Sequence, residues 1–241
     1  PGNDAFSAFT NPNSNDLNAI LSNHVVVGAA AFSSDLTNSY VNTAAEFAAD
    51  ENLSLYINTD DGVTLNGTSS VVTADIVASN GVIHTVNAVI DLPTVVTFAV
   101  ADPNFSTLVQ ALTELTPSTD FVSVLSAQDG AGSDPFTVFA PTNAAFDALA
   151  SIPAEADLIP ILQHHVVAGA NIRSGDLSDG ATATTLEGDM ITINLPGTGD
   201  NIADITDGAG NTGIGIDAVD VQAINGVIHV VDTVLIPNTT N

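Results

Sequence analysis

The sequence predicts an α+β protein of two tandem copies of one module, each with N-terminal helices packed on antiparallel β-sheets to form a wedge. Three observations carry this reading. Blocks of sequence recur in the same order, helical periodicity opens each copy, and period-two alternation closes it.

The recurrent blocks set the frame. Pro1-Gly2-Asn3-Asp4-Ala5-Phe6 parallels Pro141-Thr142-Asn143-Ala144-Ala145-Phe146. Ile20-Leu21-Ser22-Asn23-His24-Val25-Val26-Val27-Gly28 parallels Ile161-Leu162-Gln163-His164-His165-Val166-Val167-Ala168-Gly169. Asp75-Ile76-Val77-Ala78-Ser79-Asn80-Gly81-Val82-Ile83-His84 parallels Asp220-Val221-Gln222-Ala223-Ile224-Asn225-Gly226-Val227-Ile228-His229. Asp91-Leu92-Pro93 closes the first copy, so the domains are placed at 1–95 and 96–241, joined by a short apolar linker between Leu92 and Val100.

Each element then follows from local chemistry. Asp102 and Pro103 suit an N-cap and a first helical residue, and Phe105, Leu108, Leu112 and Leu115 follow at helical spacing. Pro117 ends that helix, and a second short one carries Phe121, Val124 and Leu125. An apolar strand, Phe136–Ala140, runs into Pro141, after which Asn143 is placed as the cap of a helix bearing Phe146 and Leu149. Another helix covers Asp157–His164 around Pro160. Alternation marks strands at Met190–Leu195 and Gly215–Val221, with a turn at Asn225-Gly226; Leu53–Ile57 and Val71–Ile76 are their first-copy counterparts. The leader from Ala101 to Ala140 has no counterpart in the first copy, which begins inside its first block. A strand slot is therefore expected to stand open there, with unpaired backbone groups that invite strand donation.

Composition narrows the function classes. There are 28 carboxylates against one base, Arg173, for a formal net charge of −27, although charged residues make up only 12% of the chain. Phosphate contacts need Lys and Arg, so nucleic acid and anionic membrane are disfavoured as partners, and cations are the favoured small ones. No cysteine is present, which removes disulfides and thiolate metal sites. No run is long and apolar enough to read as a spanning helix.

Reactive motifs are missing. The chain contains no Gly-x-Ser-x-Gly, no His-Glu-x-x-His and no phosphate loop, so an enzyme is not expected and no catalytic residue or cofactor is assigned. His24 with His165, and His84 with His229, recur in equivalent places; a general base or a metal ligand is one reading, and a fold-level hydrogen bond joining the blocks is the favoured one. His164 is expected at the surface. Asp- and Gly-rich loops offer weak calcium candidates at Asp60, Asp61, Asp129, Asp134 and Asp207, set against plain turn chemistry by Asp, Asn and Gly. Asn52, Asn66, Asn104 and Asn238 fit the N-glycosylation acceptor pattern.

The paired blocks resemble the fasciclin-like domain family of extracellular adhesion and matrix proteins. Phe136–Phe146 looks like its first box, Asn225–Asp232 like its second, and Ile161–Val167 like the segment between them. The resemblance covers residues 98–237 and, truncated, 1–93. It implies structural roles for Phe139, Pro141, Asn143, Phe146, His165, Asn225, Gly226 and His229, and for Asn3, Phe6, His24, Asn80, Gly81 and His84 in the first copy. Phe139, Phe146, Val227 and Ile228, with Phe6, Val82 and Ile83, are expected to hold the two folds. The family's central segment usually reads Tyr-His, a pair implicated in integrin-type adhesion in some members; Asn23 and His164 stand at the tyrosine position.

The resulting expectation is an extracellular or cell-surface adhesion or structural protein. It acts through protein contacts, with itself as a filament subunit or with cell-surface components. The alternative is a secreted module for glycans or small lipophilic ligands, against which stands the scarcity of stacking surfaces, with no Trp and only Tyr40 and Tyr56 as tyrosines.

Overall fold

The computed structural model describes residues 1–128 and 135–238. The chain divides into two compact units, with the division in the chain between Asp102 and Pro103 and with Gln222–Ile224 grouped in unit 1.

Unit 1 opens on two short helices, α1 (Asn3–Ala8) and α2 (Leu17–Ser22). The Asp16 carboxylate caps α2 by accepting the Asn18 and Ala19 amides at 2.8 and 3.2 Å. A five-stranded sheet follows in chain order: β1 (Ser39–Ala48), β2 (Glu51–Asn58), β3 (Thr64–Leu65), β4 (Ser69–Ala78) and β5 (Gly81–Val86). Its pairs are antiparallel, and β5 lies at one end of the sheet. Ile20, Ala45, Leu53, Val89 and Leu92 form a buried cluster beneath α2.

The stretch expected as a linker is a helix, α3 (Val95–Ala101). Thr94 and Thr97 form a reciprocal capping box, Thr94 Oγ1 accepting the Thr97 amide and Thr97 Oγ1 accepting the Thr94 amide. Phe98 drives this helix into unit 1, fully buried and edge-on to Tyr40 at 5.5 Å. An apolar run that can bury an aromatic ring gains more as helix than as tether. Thus the helix that spans the expected boundary at 95/96 packs as the last element of unit 1.

Unit 2 supplies α4 (Ser106–Thr113), α5 (Phe121–Leu125), β6 (Phe136–Pro141), α6 (Asn143–Asp147), α7 (Glu155–His164) and β7 (Val166–Ala168). It ends with β8 (Thr182–Thr184), β9 (Met190–Asn194), β10 (Ala203–Thr206), β11 (Ile214–Ala223) and β12 (Gly226–Val231). The seven-stranded sheet runs β7-β6-β12-β11-β10-β9-β8. One pair departs from the expected antiparallel pattern: β6 runs parallel to β12, from Gly226 opposite Phe136 to Val231 opposite Pro141. The chain between them is long enough for such a crossover. Strand β6 is buried along its whole length. Phe139, Ile191, Ile205, Ile216, Val231 and Leu235 are at the centre of the core.

Thr142, not Asn143, caps α6; its hydroxyl accepts the Ala145 amide. Asn143 sits one residue inside and turns its side chain to α4, accepting the Thr107 amide at 2.9 Å and donating to the Pro103 carbonyl at 2.9 Å.

Candidate functional site

The chemistry-bearing side chains lie where the repeated blocks meet. In unit 1, His24 donates from Nδ1 to the Ile20 carbonyl at 2.7 Å and accepts the Ile90 amide on Nε2 at 3.0 Å. In unit 2, His165 donates to the Ile161 carbonyl at 2.8 Å and accepts the Leu235 amide at 2.9 Å. A carbonyl can only accept and an amide only donate, so each ring is held neutral with its proton on Nδ1. Burial pushes both rings below the usual imidazole range, His165 to about 4. Neither nitrogen is left for a proton-transfer or metal role.

The second pair is tied the other way. His84 Nε2 donates to the Ala31 carbonyl at 2.8 Å, and His229 Nε2 to the Ile172 carbonyl at 2.8 Å. Nδ1 of both rings has no hydrogen-bond partner. His229 stacks on Phe139 with ring centroids 5.6 Å apart, and desolvation lowers its pKa. Close by, an aspartate in left-handed backbone conformation grips the loop that carries the carbonyl: Asp75 accepts the Ser33 amide and hydroxyl, and Asp220 does the same for Ser174. Arg173 lies 3.7 Å from the Asp220 carboxylate. These two clamps had only a faint signal in the sequence, an aspartate near the head of the last block and Ser-x-Asp-Leu at both Ser33 and Ser174.

His164 is a correction. It is fully buried, not exposed. It ends α7 facing two loops that satisfy both nitrogens: Nε2 accepts the Gly208 amide at 3.0 Å, and Nδ1 donates to Thr185 Oγ1 at 3.1 Å, with Glu187 at 3.6 Å. Desolvation lowers its pKa against the pull of the neighbouring carboxylates. His164, Glu187 and Asp189 have ligand atoms within 4.8 Å of one another, the spacing of a metal cluster. Yet the Asp189 carboxylate already accepts the Asn238 amide at 2.6 Å and Glu187 accepts the Asp189 amide at 3.1 Å, so the group closes as a hydrogen-bond network. At the same position in unit 1, Asn23 is also fully buried and donates to the Asp91 carbonyl at 3.0 Å.

The calcium candidates divide by environment. Asp60 and Asp61 are exposed, and Asp60 accepts from Asn38 and Asn58. Asp207 is buried and spans its own turn, accepting the Asn211 amide, the Asn211 side chain and the Ile236 amide at 2.8–2.9 Å. Asp129 and Asp134 lie outside the described residues. Of the glycosylation candidates, Asn66 is buried with its Oδ1 on the Tyr56 amide, which closes it to a glycan in the folded chain.

The remaining block residues behave differently in the two copies. Asn225 is buried and donates to the Leu125 and Ala127 carbonyls at 2.8 and 2.9 Å, whereas Asn80 is exposed. Phe146 is 3% exposed under α4, but Phe6 is 39% exposed, and Asn3 lies at the surface. Ile228 is 2% exposed and Ile83 53%; Val82 is half-buried where Val227 is buried. Phe6, Val82 and Ile83 therefore do not form the core expected of them. Residues 1–102 contain no element equivalent to α4, α5 or β6, which cover the unit 2 counterparts. Another buried group falls outside the repeats: Asp102 accepts the Tyr40 hydroxyl at 2.9 Å and the Tyr56 hydroxyl at 3.3 Å, and burial, then the charge of this carboxylate, raises the pKa of both phenols.

Two copies of one α+β module, each tied by the same pair of histidines and the same Ser–Asp clamp, define a tandem-repeat protein of a single domain type. The Fasciclin domain model matches residues 1–93 and 103–237, and the chain belongs to the fasciclin domain family. A solved FAS1 domain pair from the insect cell adhesion molecule fasciclin I has the same fold, with a TM-score of 0.58 at 20% identity over 98% of this chain and 86% of that one. The Synechocystis sp. protein sll1735 is 36% identical over 151 residues, 60% of this chain and 98% of that protein. Cell surface glycolipoprotein MPB83 of Mycobacterium bovis is 35% identical over 150 residues, 59% of this chain and 60% of its own length. Human periostin is 29% identical over 204 residues, 78% of this chain and 21% of its own length. Among the described residues no helix is long and apolar enough to cross a membrane.

Proposed function

We propose that this chain is an extracellular or cell-surface adhesion or structural protein, not an enzyme, that works through protein–protein contact and associates with copies of itself. One observation carries the reading. In the repeated blocks His24, His164, His165, Asn23 and Asn225 are spent on internal hydrogen bonds, while unit 1 displays exposed apolar side chains on its sheet, Val72, Ile76, Val77 and Ile83 among them. Such a surface offers contact area and no reaction centre. The near-absence of Lys and Arg weighs against nucleic acid as partner. Similarity to a cell surface glycolipoprotein supports placement outside the cell. Calcium enters this reading at exposed Asp60 and Asp61, as a modulator of contact.

A second reading, a small lipophilic ligand, is favoured by a cavity of about 430 Å³ in unit 1 with a mainly apolar lining. Bead aggregation separates the two. Beads coated with the whole chain should cluster with one another, and calcium should promote clustering beyond a sodium salt of matched ionic strength. Dispersed beads at every coating density, together with retention of an apolar fluorescent probe, would replace self-contact with ligand carriage.

A further inference from the structure

Strand β12 ends at Val231, and residues 234–238 then run on without joining a sheet. Val234 and Leu235 are buried, and Leu235 packs in the core with Phe139, Val167 and Ile191. The amides of this segment do not go to strand partners. Leu235 donates to His165 Nε2 at 2.9 Å, Ile236 to the Asp207 carboxylate at 2.9 Å and Asn238 to the Asp189 carboxylate at 2.6 Å, and Pro237 has no amide proton to give. Every amide proton from Leu235 to Asn238 therefore meets an ionisable side chain. A ring nitrogen that takes up a proton stops being an acceptor, and a carboxylate weakens as one.

A backbone bond joins the segment to the loop 207–211, where Ala209 donates to the Ile236 carbonyl at 3.0 Å. That loop is anchored in turn through the Gly208 amide on His164 Nε2, at 3.0 Å. A Cβ on Gly208 would lie 3.0 Å from both the Asn238 amide nitrogen and His164 Cε1, so loop, ring and segment are in direct contact. Unit 1 is built differently at this point. His24 accepts the Ile90 amide there, but Asn23, at the His164 position, also donates to the Ile90 and Asp91 carbonyls at 3.4 and 3.0 Å. A side-chain amide does not titrate, so that hold is independent of pH.

We propose that residues 234–238 form a strap that acid releases from unit 2, with His164 and His165 together as its trigger. A proton on His165 Nε2 faces the Leu235 amide proton, and one on His164 Nε2 faces the Gly208 amide proton, so both contacts turn from attraction to opposition. The charged groups around the pair are Glu187 and Asp189 from the β8–β9 turn, Asp207 from the loop after β10, and each ring for the other. Those carboxylates favour charge on His164, yet burial outweighs them; on His165 burial and the neighbouring ring act together, and its pKa falls to about 4. Release lets both rings reach water, where imidazole titrates at about 6.5. The open form binds protons first as pH falls, so closure is complete above about pH 6.5 and is lost toward pH 4. Opening uncovers Val234, Leu235 and the core that Leu235 fills, an apolar surface that is closed at neutral pH. This device belongs to unit 2 alone and stands whether or not coated beads aggregate.

The test follows amide exchange in the whole chain by nuclear magnetic resonance, each rate taken relative to the same amide in an unstructured chain so that the chemical effect of pH cancels. Between about pH 7 and pH 5, protection at Leu235, Ile236 and Asn238 should fall by at least about tenfold, while that of Gly226–Val231 falls by less than about threefold. The fall should also exceed that at Ile90–Leu92, which Asn23 helps to hold. His164→Asn, which puts the residue of unit 1 at this position, should keep the neutral-pH protection within about threefold and at least halve the fall. If that variant does not fold, the profile of the unaltered chain decides. Strap protection that is flat down to pH 5 overturns the proposal. A fall confined below about pH 4 also overturns it, in favour of carboxylate protonation alone. So does a parallel fall throughout β12, which would mean that unit 2 opens as a whole, and so does an undiminished fall in folded His164→Asn.

Discussion

At the scale of single residues, position matters more than identity. Gly81 and Gly226 open the same block, but only Gly226 is overlaid by a neighbouring backbone. Gly226→Ala should therefore cost unit 2 about 3 kcal/mol, whereas Gly81→Ala should be neutral or slightly stabilising, since a strand glycine without a steric demand only adds unfolded-state entropy. Urea melts followed by circular dichroism, with tyrosine fluorescence as a separate report on unit 1, check both; Tyr40 and Tyr56 are the chain's two tyrosines and both lie in unit 1. The histidines show how far single residues could be read. Their recurrence is plain in the sequence, but which carbonyl and amide each ring joins depends on distant backbone. His164 was misplaced for a related reason. An imidazole looks polar in isolation, and only the fold shows that Gly208 and Thr185 satisfy it.

At the scale of elements, His165 joins the end of α7 to the segment after β12, and that link depends on charge state. Protonating Nε2 would set one donor against another, the Leu235 amide. The native state therefore prefers the neutral ring, and its folded pKa, about 4, lies below the unfolded value. The unfolded chain binds the extra proton first as pH falls, so the link's stabilisation is complete above about pH 6.5 and is lost progressively toward pH 4, by about 3 kcal/mol in all. His24 shifts in the same direction, so unit 1 follows. Nuclear magnetic resonance titration should find the His165 ring still neutral near pH 5; a midpoint at the ordinary imidazole value would remove the effect. Strands β9, β11 and β12 and helices α4 to α7 were legible because their periodicity or punctuation is strong. By contrast, β1 and β10 were not singled out, because Ser39–Ala48 is rich in Ala and Asn and Ala203–Thr206 is too short to show a period. The α3 helix was hidden by its continuous apolar character, which hydropathy reads as tether or core alike. The parallel pairing of β6 with β12 lies beyond local pattern altogether, since it is set by the crossover between them.

At the scale of the whole molecule, a charge of −27 on 241 residues repels itself. Salt should relieve that repulsion, and the melting temperature should rise by about 5 °C between roughly 0.01 and 0.5 M sodium chloride, the range over which the screening length falls below the spacing of surface charges. A melting temperature insensitive to salt would show that the carboxylates are held in local networks such as Asp207 and Asp204. The scarcity of cationic side chains has one more effect, set by the Asp220 clamp. Proteases that cut after lysine or arginine have one bond to attack in this chain, Arg173–Ser174, and the amide and hydroxyl on its far side are both held by that aspartate. Cleavage there requires the turn to leave its clamp, so trypsin becomes a reporter of unit 2's local opening.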